Sequence, residues 1–254
     1  MNVVVYVVED TIVVFRREIY AGPHQHHALQ ITMGIGDQFG AVVDGNVFWC
    51  KGLVINNDQL HQVLGQAEWV VSLLINPESP FAKAVQGQLL MGESHQTFDF
   101  AVDDVIGELV DKSLSCEQVQ VMNGKIREAL AISSDVEYSI DPRIAEAIEM
   151  IRRLPEKQIA MKDLSRHVHL SESRFGHLFR EEIGIPLRRY LLWQRLLMAL
   201  ETIACGENFT FAAHETGFTD SAHLGRTFYR MFGIRLSDMF AHRDLIRVMQ
   251  CERV

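Results

Sequence analysis

The sequence predicts two domains: a mostly antiparallel β barrel with helices appended, followed by an all-α half in which two helix-turn-helix units are joined by a long helix. Three observations carry this prediction. Residues 2–75 are short β-branched and aromatic runs separated by turn residues. After Asn76-Pro77 the apolar positions change to helical spacing. Finally, a short segment occurs twice. At a shift of 49 residues, Phe175 to Leu187 (FGHLFREEIGIPL) lies over Leu224 to Leu236 (LGRTFYRMFGIRL), with Gly176/Gly225, Phe179/Phe228, Gly184/Gly233, Ile185/Ile234 and Leu187/Leu236 identical.

A length of 254 residues suits two ordinary domains, and 48% apolar with 22% charged residues is a globular composition. The opening MNVVVYVVEDT is apolar for eight residues only, too short for a membrane span or a signal peptide, so the expected location is the cytoplasm. Cys50, Cys116, Cys205 and Cys251 are widely spaced, which predicts buried free thiols rather than a metal cluster or a disulfide framework. The net charge of −9 argues at first against a nucleic-acid partner. The charge is unevenly divided, however. Residues 1–140 hold 7 basic against 18 acidic side chains, while residues 141–254 hold 17 against 15, and 15 of those 17 are Arg. Arginine's planar fork suits phosphates and guanine edges, so the objection lapses for the second half.

In the first half, the expected strands are Asn2 to Val8, Thr11 to Tyr20, Ala28 to Met33, Gln38 to Val43, Val47 to Val54, His61 to Leu64 and Trp69 to Ile75. Turn signals such as Gly22-Pro23, Asp44-Gly45-Asn46 and Asn56-Asn57-Asp58 separate them. No helix between them is long enough for a parallel crossover, which points to an antiparallel barrel or sandwich. Ser79-Pro80 is an N-cap with Pro at the first helical position, opening a helix to about Met91. Phe100 to Leu114 and Cys116 to Ile132 are amphipathic helices; the stripe of the second is Val119, Met122, Ile126 and Leu130, with Val121 off it. They would either cover the barrel or pair with a second subunit. The expected boundaries are a β-rich domain over 1–132 (strands 2–75, helices 79–132), a linker over 133–140, a helical domain over 141–243 and a tail over 244–254.

In the helical half, Asp141-Pro142 repeats the cap signal, and Ile144, Ile148, Ile151 and Leu154 form the stripe of a helix ending at Pro155. Helices are expected over Lys162 to Val168, Ser171 to Ile183, Leu187 to Ala204, Phe209 to Glu215, Ser221 to Phe232 and Ser237 to His242. The second helix of each unit divides by face. Phe175, Leu178, Phe179 and Ile183 point inward, leaving Ser173, Gly176, His177 and Arg180 outward. In the other copy Leu224, Phe228, Met231 and Phe232 point inward, and Ala222, Gly225, Arg226 and Tyr229 outward, flanked by Ser221, His223 and Arg230. Small residues beside Arg and His suit a helix lying on a groove floor, where bulk blocks approach and Arg reaches guanine. The connecting helix of 18 residues is about 27 Å long, which can space two such helices on successive major grooves ~34 Å apart. Double-stranded DNA is therefore the expected partner.

These residues resemble the DNA-binding domain of AraC/XylS transcription regulators. The resemblance rests on Leu170-Ser171-x-Ser173-Arg174-Phe175 through Phe179-Arg180 to Gly184, then Pro186, Tyr190-Leu191, Arg195-Leu196 and Ala199. Ala213, Gly217-Phe218-x-Asp220, Phe228 and Gly233 carry it in the second copy. It covers about Asp141 to Arg243 and implies that Ser173, Gly176, His177, Ser221, Ala222, His223, Gly225 and Arg226 face the groove. It further implies a regulator, more often an activator, that contacts RNA polymerase, is not an enzyme, and carries an effector-sensing or dimerising N-terminal domain. One departure is Leu236, where the family usually has Pro, and this is expected to loosen the start of the last helix.

In the first half, His24-Gln25-His26 with Gln30 and, later, His61 resembles the two motifs of cupin barrels. In metal-binding cupins, two His, a carboxylate and a further His converge inside the barrel. Here Gln30 occupies the carboxylate position, and a neutral amide replaces an anionic ligand poorly. The expectation is therefore a small-effector site at His24, His26, Gln30 and His61, with no metal and no other cofactor. A cupin-type metalloenzyme, or a barrel that only forms a homodimer, are the alternatives.

Overall fold

The structure is a computed structural model, and it describes residues 3–8, 10–16, 21–65, 67, 69–99, 114–132, 140–153, 159–240 and 246–251. The expected helix over 100–114, the linker over 133–140 and the helix end at Leu154 and Pro155 lie wholly or almost wholly outside the described residues. By packing, the chain divides into one unit of residues 1–136 with 228–254 and another of residues 137–227.

The first unit contains strands β1 (Val3–Val8), β2 (Thr11–Arg16), β3 (Leu29–Ile35), β4 (Phe39–Val43), β5 (Asn46–Cys50), β6 (Gly52–Ile55), β7 (His61–Leu64), β8 (Trp69–Ile75), β9 (His95–Phe98) and β10 (Ile246–Cys251). One sheet runs β10-β1-β2-β8-β3-β6-β9 and a second runs β5-β4-β7. Every pairing is antiparallel except β1 with β10, where Val3 lies opposite Ile246 in parallel register.

β9 lies where no strand was expected, and three further features differ from expectation. The run expected over Val47 to Val54 is two strands broken at Lys51, whose carbonyl accepts from the Gly34 N–H at 2.8 Å. The C-terminal stretch expected as a tail supplies β10, in which only Ile246 and Val248 are β-branched and the pairing with β1 decides the strand. The helix opened by the Ser79 cap, α1 (Pro80–Ala84), passes into a π-helical turn over Val85–Leu90 and stops at Met91 and Gly92, both with positive φ.

Strand β3 has two faces. Leu29, Ile31 and Met33 join Tyr6, Val13, Phe15, Val71 and Leu73 in one apolar cluster, while Gln30 and Thr32, also buried, occupy the alternate positions. Helix α2 (Cys116–Ala129), closed at its start by a Ser115/Gln118 capping box, lays Val119, Met122 and Ile126, with Leu130 beyond its end, into that same cluster. Its stripe therefore covers the chain's own sheet, and Val121 is exposed. A second cluster, including Phe39, Ala41, Val43, Leu53, Ile55, Val63 and Val70, joins the two sheets. Cys50 is a buried free thiol, but Cys205 is exposed and Cys116 is disulfide-bonded, which corrects the expectation that all four are buried and free.

The helical elements are α3 (Pro142–Arg153), α4 (Met161–His167), α5 (Glu172–Ile183), α6 (Leu187–Ala204), α7 (Phe209–Glu215), α8 (Ser221–Phe232) and α9 (Leu236–Met239). Ile144, Ile148 and Ile151 of α3 pack with Leu164, Phe175, Leu178, Phe179, Ile183 and Tyr190. Side-chain caps open four helices, the first being α3, where Asp141 accepts from the Arg143 N–H at 2.9 Å. Ser171 accepts from the Arg174 N–H at 3.3 Å, Asn208 from the Phe211 N–H at 2.9 Å and Asp220 from the His223 N–H at 2.6 Å. Each such cap stabilises its helix by about 1 kcal/mol. The last helix is shorter than the expected Ser237 to His242; it starts at Leu236, whose side chain is buried, with no side-chain cap.

The two helix-turn-helix turns solve one geometric problem with different residues. The chain enters the left-handed region at His169 (φ 56) between α4 and α5, and at Gly217 (φ 79) between α7 and α8. A Cβ in that region costs roughly 1–2 kcal/mol. Replacing Gly217→Ala is therefore expected to lower the unfolding free energy by about 1–2 kcal/mol, and His169→Gly to leave it unchanged or raise it by up to ~1 kcal/mol. Chemical denaturation of the two variants reads both, and a stabilised Gly217→Ala would refute the account.

Candidate nucleic-acid interface and a buried histidine cluster

The duplicated helices place the predicted residues as their face pattern requires. On α5, Phe175, Leu178, Phe179 and Ile183 are buried, Ser173, His177 and Arg180 are exposed and Gly176 is half-buried. On α8, Leu224 and Phe228 are buried, as is Thr227, while Ala222, Arg226, Tyr229 and Arg230 are exposed and Ser221, His223 and Gly225 are half-buried. The expected inward pair Met231 and Phe232 is only half-buried. Among the described residues, Arg180, Arg226 and Arg230 make no ion pair, so three guanidiniums stand on these helices without a carboxylate. His223 is the exception to an open face. Its Nδ1 lies 3.2 Å from Thr219 Oγ1, and its ring packs edge-on against Phe218, so its own turn orients it.

Gly225 is informative because nothing among the described residues requires it. A Cβ built there meets nothing within 4 Å, and at Gly176 it would meet only Met161 Cε at 3.5 Å, an ordinary contact. Glycine inside a helix costs roughly 0.5–1 kcal/mol relative to Ala. With no internal packing reason for that cost, the small residue is explained by a surface that must come close from outside.

In the first unit, His24, His26, Gln30 and His61 are brought together and buried, at 5%, 3%, 2% and 2% exposure. His24 and His61 exchange two backbone hydrogen bonds of 2.9 Å, which places their rings 4.2 Å apart. The His26 ring lies 5.0 Å from that of His61. Each Nδ1 faces a backbone carbonyl: His24 to Gly22 at 2.9 Å, His26 to Ala28 at 3.1 Å and His61 to Gln59 at 2.9 Å. Carbonyls only accept, so each ring carries its proton on Nδ1 and leaves Nε2 as a lone pair. Nε2 of His26 and of His61 sit 2.9 and 3.2 Å from Gln30 Oε1. The Gln30 amide nitrogen donates to Thr32 Oγ1 at 2.7 Å, and Thr32 meets Ser72 Oγ at 3.2 Å.

Burial, followed by repulsion from His61 and His26, pushes the His24 pKa down to about 2. Burial and then His26 push His61 to about 3, and burial lowers His26 as well. All three imidazoles are thus neutral at pH 7. His27, beside them in sequence, is buried but faces Glu78 Oε2 at 4.0 Å. Sequence reasoning missed Thr32 and Ser72, which strand register brings opposite each other, and Arg16. Arg16 acts on all three imidazoles as a nearby positive charge; burial lowers its own pKa to about 10, and its Nε has no hydrogen-bond partner.

Within the same unit, the loop that carries His24 is bonded to the end of α8. The Gly22 N–H donates to Gly233 O at 2.8 Å and the Gln25 N–H to Arg230 O at 3.3 Å. Gly233 sits at φ 69, and a Cβ there would lie 2.2 Å from Gly22 O, so only glycine fits.

Comparison with known proteins gives a match of residues 164–242 to a family model described as a helix-turn-helix domain. The chain is 27% identical over 118 residues to the arabinose operon regulatory protein of Escherichia coli strain K12, covering 46% of this chain and 40% of that protein. It is 24% identical over 229 residues to the probable transcriptional regulator LumQ of Photobacterium leiognathi, covering 83% of this chain and 88% of that protein. Among solved structures, ToxT from Vibrio cholerae superposes with a TM-score of 0.59 at 11% identity, over 91% of this chain and 97% of that one. ToxT with bound unsaturated fatty acid gives 0.57 at 12% identity, over 90% and 93%. The ToxT likeness shows the two-part fold, β-rich then helical.

The account of Gly225 makes opposite demands on stability and binding. Gly225→Ala is expected to stabilise the protein by roughly 0.5–1 kcal/mol in denaturant titration while weakening its binding to DNA. Unchanged DNA affinity would remove Gly225 from the interface.

Proposed function

We infer that this chain, an AraC/XylS-type transcription regulator by the helix-turn-helix domain matched over residues 164–242, reads one specific site on double-stranded DNA with α5 and α8. The observation that carries this is the outward side of two helices in register, small residues at Gly176, Ala222 and Gly225 beside guanidiniums with no carboxylate partner. Such a face admits close approach to base edges and offers the donors that guanine accepts. Ser173, His177 and Arg180 would serve the first groove, and Ser221, Ala222, His223, Gly225, Arg226 and Arg230 the second. Arg226 stands where the first copy has His177, so the second unit would read its bases more strongly.

The β-rich unit would bind a small effector at His24, His26, Gln30 and His61 and thereby set the activity of the DNA-reading helices. That a ToxT structure holds an unsaturated fatty acid supports a small-effector reading for a chain of this fold. We assign the chain to the cytoplasm, in line with the absence among the described residues of any helix long and apolar enough to cross a membrane. Contact with RNA polymerase and action as an activator complete the reading. Homodimerisation belongs to the same reading. The same regulator reading assigns no catalysis to the chain.

Footprinting of the full chain on selected genomic fragments is expected to protect two major-groove segments about 10 bp apart on one side of the duplex. Arg226→Ala is expected to weaken specific binding by about 1–3 kcal/mol and to relax preference at one base position. Equal weakening on every sequence would make Arg226 a phosphate contact instead.

A further inference from the structure

One charge in the β-rich unit has no counterpart. Arg16, the last residue of β2, makes no hydrogen bond and no ion pair among the described residues, and its Nε is fully buried. Burial pushes its pKa down to about 10, so the guanidinium is desolvated yet still charged at pH 7. A cation taken out of water is costly to hold unless an anion replaces the lost hydration. The strand register fixes the face on which this charge sits. Arg16 lies opposite Val70 of β8, and Val70 opposite Gly34 of β3, so the three share one face of the sheet, the face that also carries Gln30 and Thr32. Val70 belongs to the apolar cluster that joins the two sheets. Arg16 as a whole is only half-buried, so part of the side chain remains reachable from outside. One row along, Val14 lies opposite Ser72 and Ser72 opposite Thr32. Their hydroxyls are 3.2 Å apart, and whichever accepts in that bond keeps a proton to give. Val14 and Ile12, the next residues of β2 on the Arg16 face, are half-buried and belong to neither apolar cluster of this unit. A planar two-pronged cation beside hydroxyls, with an uncovered apolar strip leading away, is complementary to a carboxylate on an apolar body.

We propose that the Arg16 guanidinium anchors a site for an organic monocarboxylate with an apolar body, and that this acid is the effector of the β-rich unit. The second clause rests on the regulator reading above; the first does not. The guanidinium fork donates two parallel N–H groups, which match the two oxygens of a carboxylate, and one cation balances one negative charge. The apolar body would lie along Val14 and Ile12, and the Ser72–Thr32 pair would supply a further donor. Arg16 also acts as a nearby positive charge on His24, His26 and His61, so the acid would bind beside the loop that carries His24. That loop is bonded through Gly22 and Gln25 to the last turn of α8. Neutralising Arg16 therefore changes the field on a segment that holds the end of one DNA-reading helix.

The test uses the full chain and four soluble probes, hexanoate, its neutral isostere hexanamide, acetate and inorganic phosphate, each titrated by calorimetry. The expected result is one hexanoate per chain, bound roughly tenfold or more tighter than hexanamide, the scale of a hydrogen bond to a charged group. Hexanamide, acetate or phosphate bound as tightly as hexanoate overturns the assignment, and so does a wild-type chain that takes up no hexanoate at millimolar concentration. Arg16→Met supplies a reading that misfolding does not imitate. The charge it removes has no counter-charge in the ligand-free chain, so the variant should unfold at a higher denaturant concentration than wild type while losing hexanoate. A lower midpoint overturns the proposal, because the guanidinium is then held by the chain itself. DNA binding, measured by gel shift with and without hexanoate, separates the two claims. Hexanoate uptake that leaves DNA affinity unchanged removes the acid as effector and keeps the site. DNA binding by a chain that takes up no hexanoate removes the site and keeps the regulator.

Discussion

Much of the β-rich unit depends on the two-residue period of β3. Leu29, Ile31 and Met33 enter the apolar cluster that α2 covers, so Gln30 and Thr32 must occupy the opposite face, where the register with β8 sets Thr32 across from Ser72. A slip of one residue would exchange the two sets and put an amide and a hydroxyl among Val13, Phe15 and Leu73. Burying them there without partners would cost several kcal/mol. The apolar face therefore fixes the strand register, and the register delivers the polar row to the histidines. The His24–His61 backbone bridge adds the remaining constraint, because it joins the loop before β3 to the start of β7.

The helical elements follow a different economy. Their inner faces are filled with aromatic and aliphatic side chains, Phe175, Phe179, Tyr190 and Trp193 among the largest, and their caps are local. The outer faces of α5 and α8 hold glycine, which a stable helix would avoid, and arginine with no carboxylate partner. The glycines oppose stability, and together with the arginines they favour a polyanionic surface at close range. The two copies are alike in this respect although their turns differ, His169 in one and Gly217 in the other. The shared element is the face presented by the second helix, while the residue in the left-handed turn is free to vary.

Helices were legible because the 3.6-residue period and the caps are local signals. Leu187 to Ala204, Phe209 to Glu215 and Ser221 to Phe232 fall where the sequence places them, and Ser171 and Asp220 cap as their positions imply. Strands were legible where Gly or Asn marked their turns. They were less so where a partner distant in sequence decides the matter: β9 and β10 carry few β-branched residues, and pairing with β6 and β1 makes them strands. The break at Lys51 has the same origin, a carbonyl claimed by Gly34.

The sequence by itself determined the two-part order, the duplicated helices with their inner and outer faces, and the identity of the four residues that meet in the β-rich unit. Each rests on spacing or on residue type, which a linear chain carries in full. Only the tertiary structure decided which ring nitrogen each histidine keeps protonated, because that depends on carbonyls of Gly22, Ala28 and Gln59 whose directions are set by folding. Reading Gln30 as a weak substitute for a carboxylate treated it as a residue type. In the fold its amide end lies 2.9 and 3.2 Å from Nε2 of His26 and His61, and that geometry, with its neutral donor and acceptor, gives the amide its place in the site.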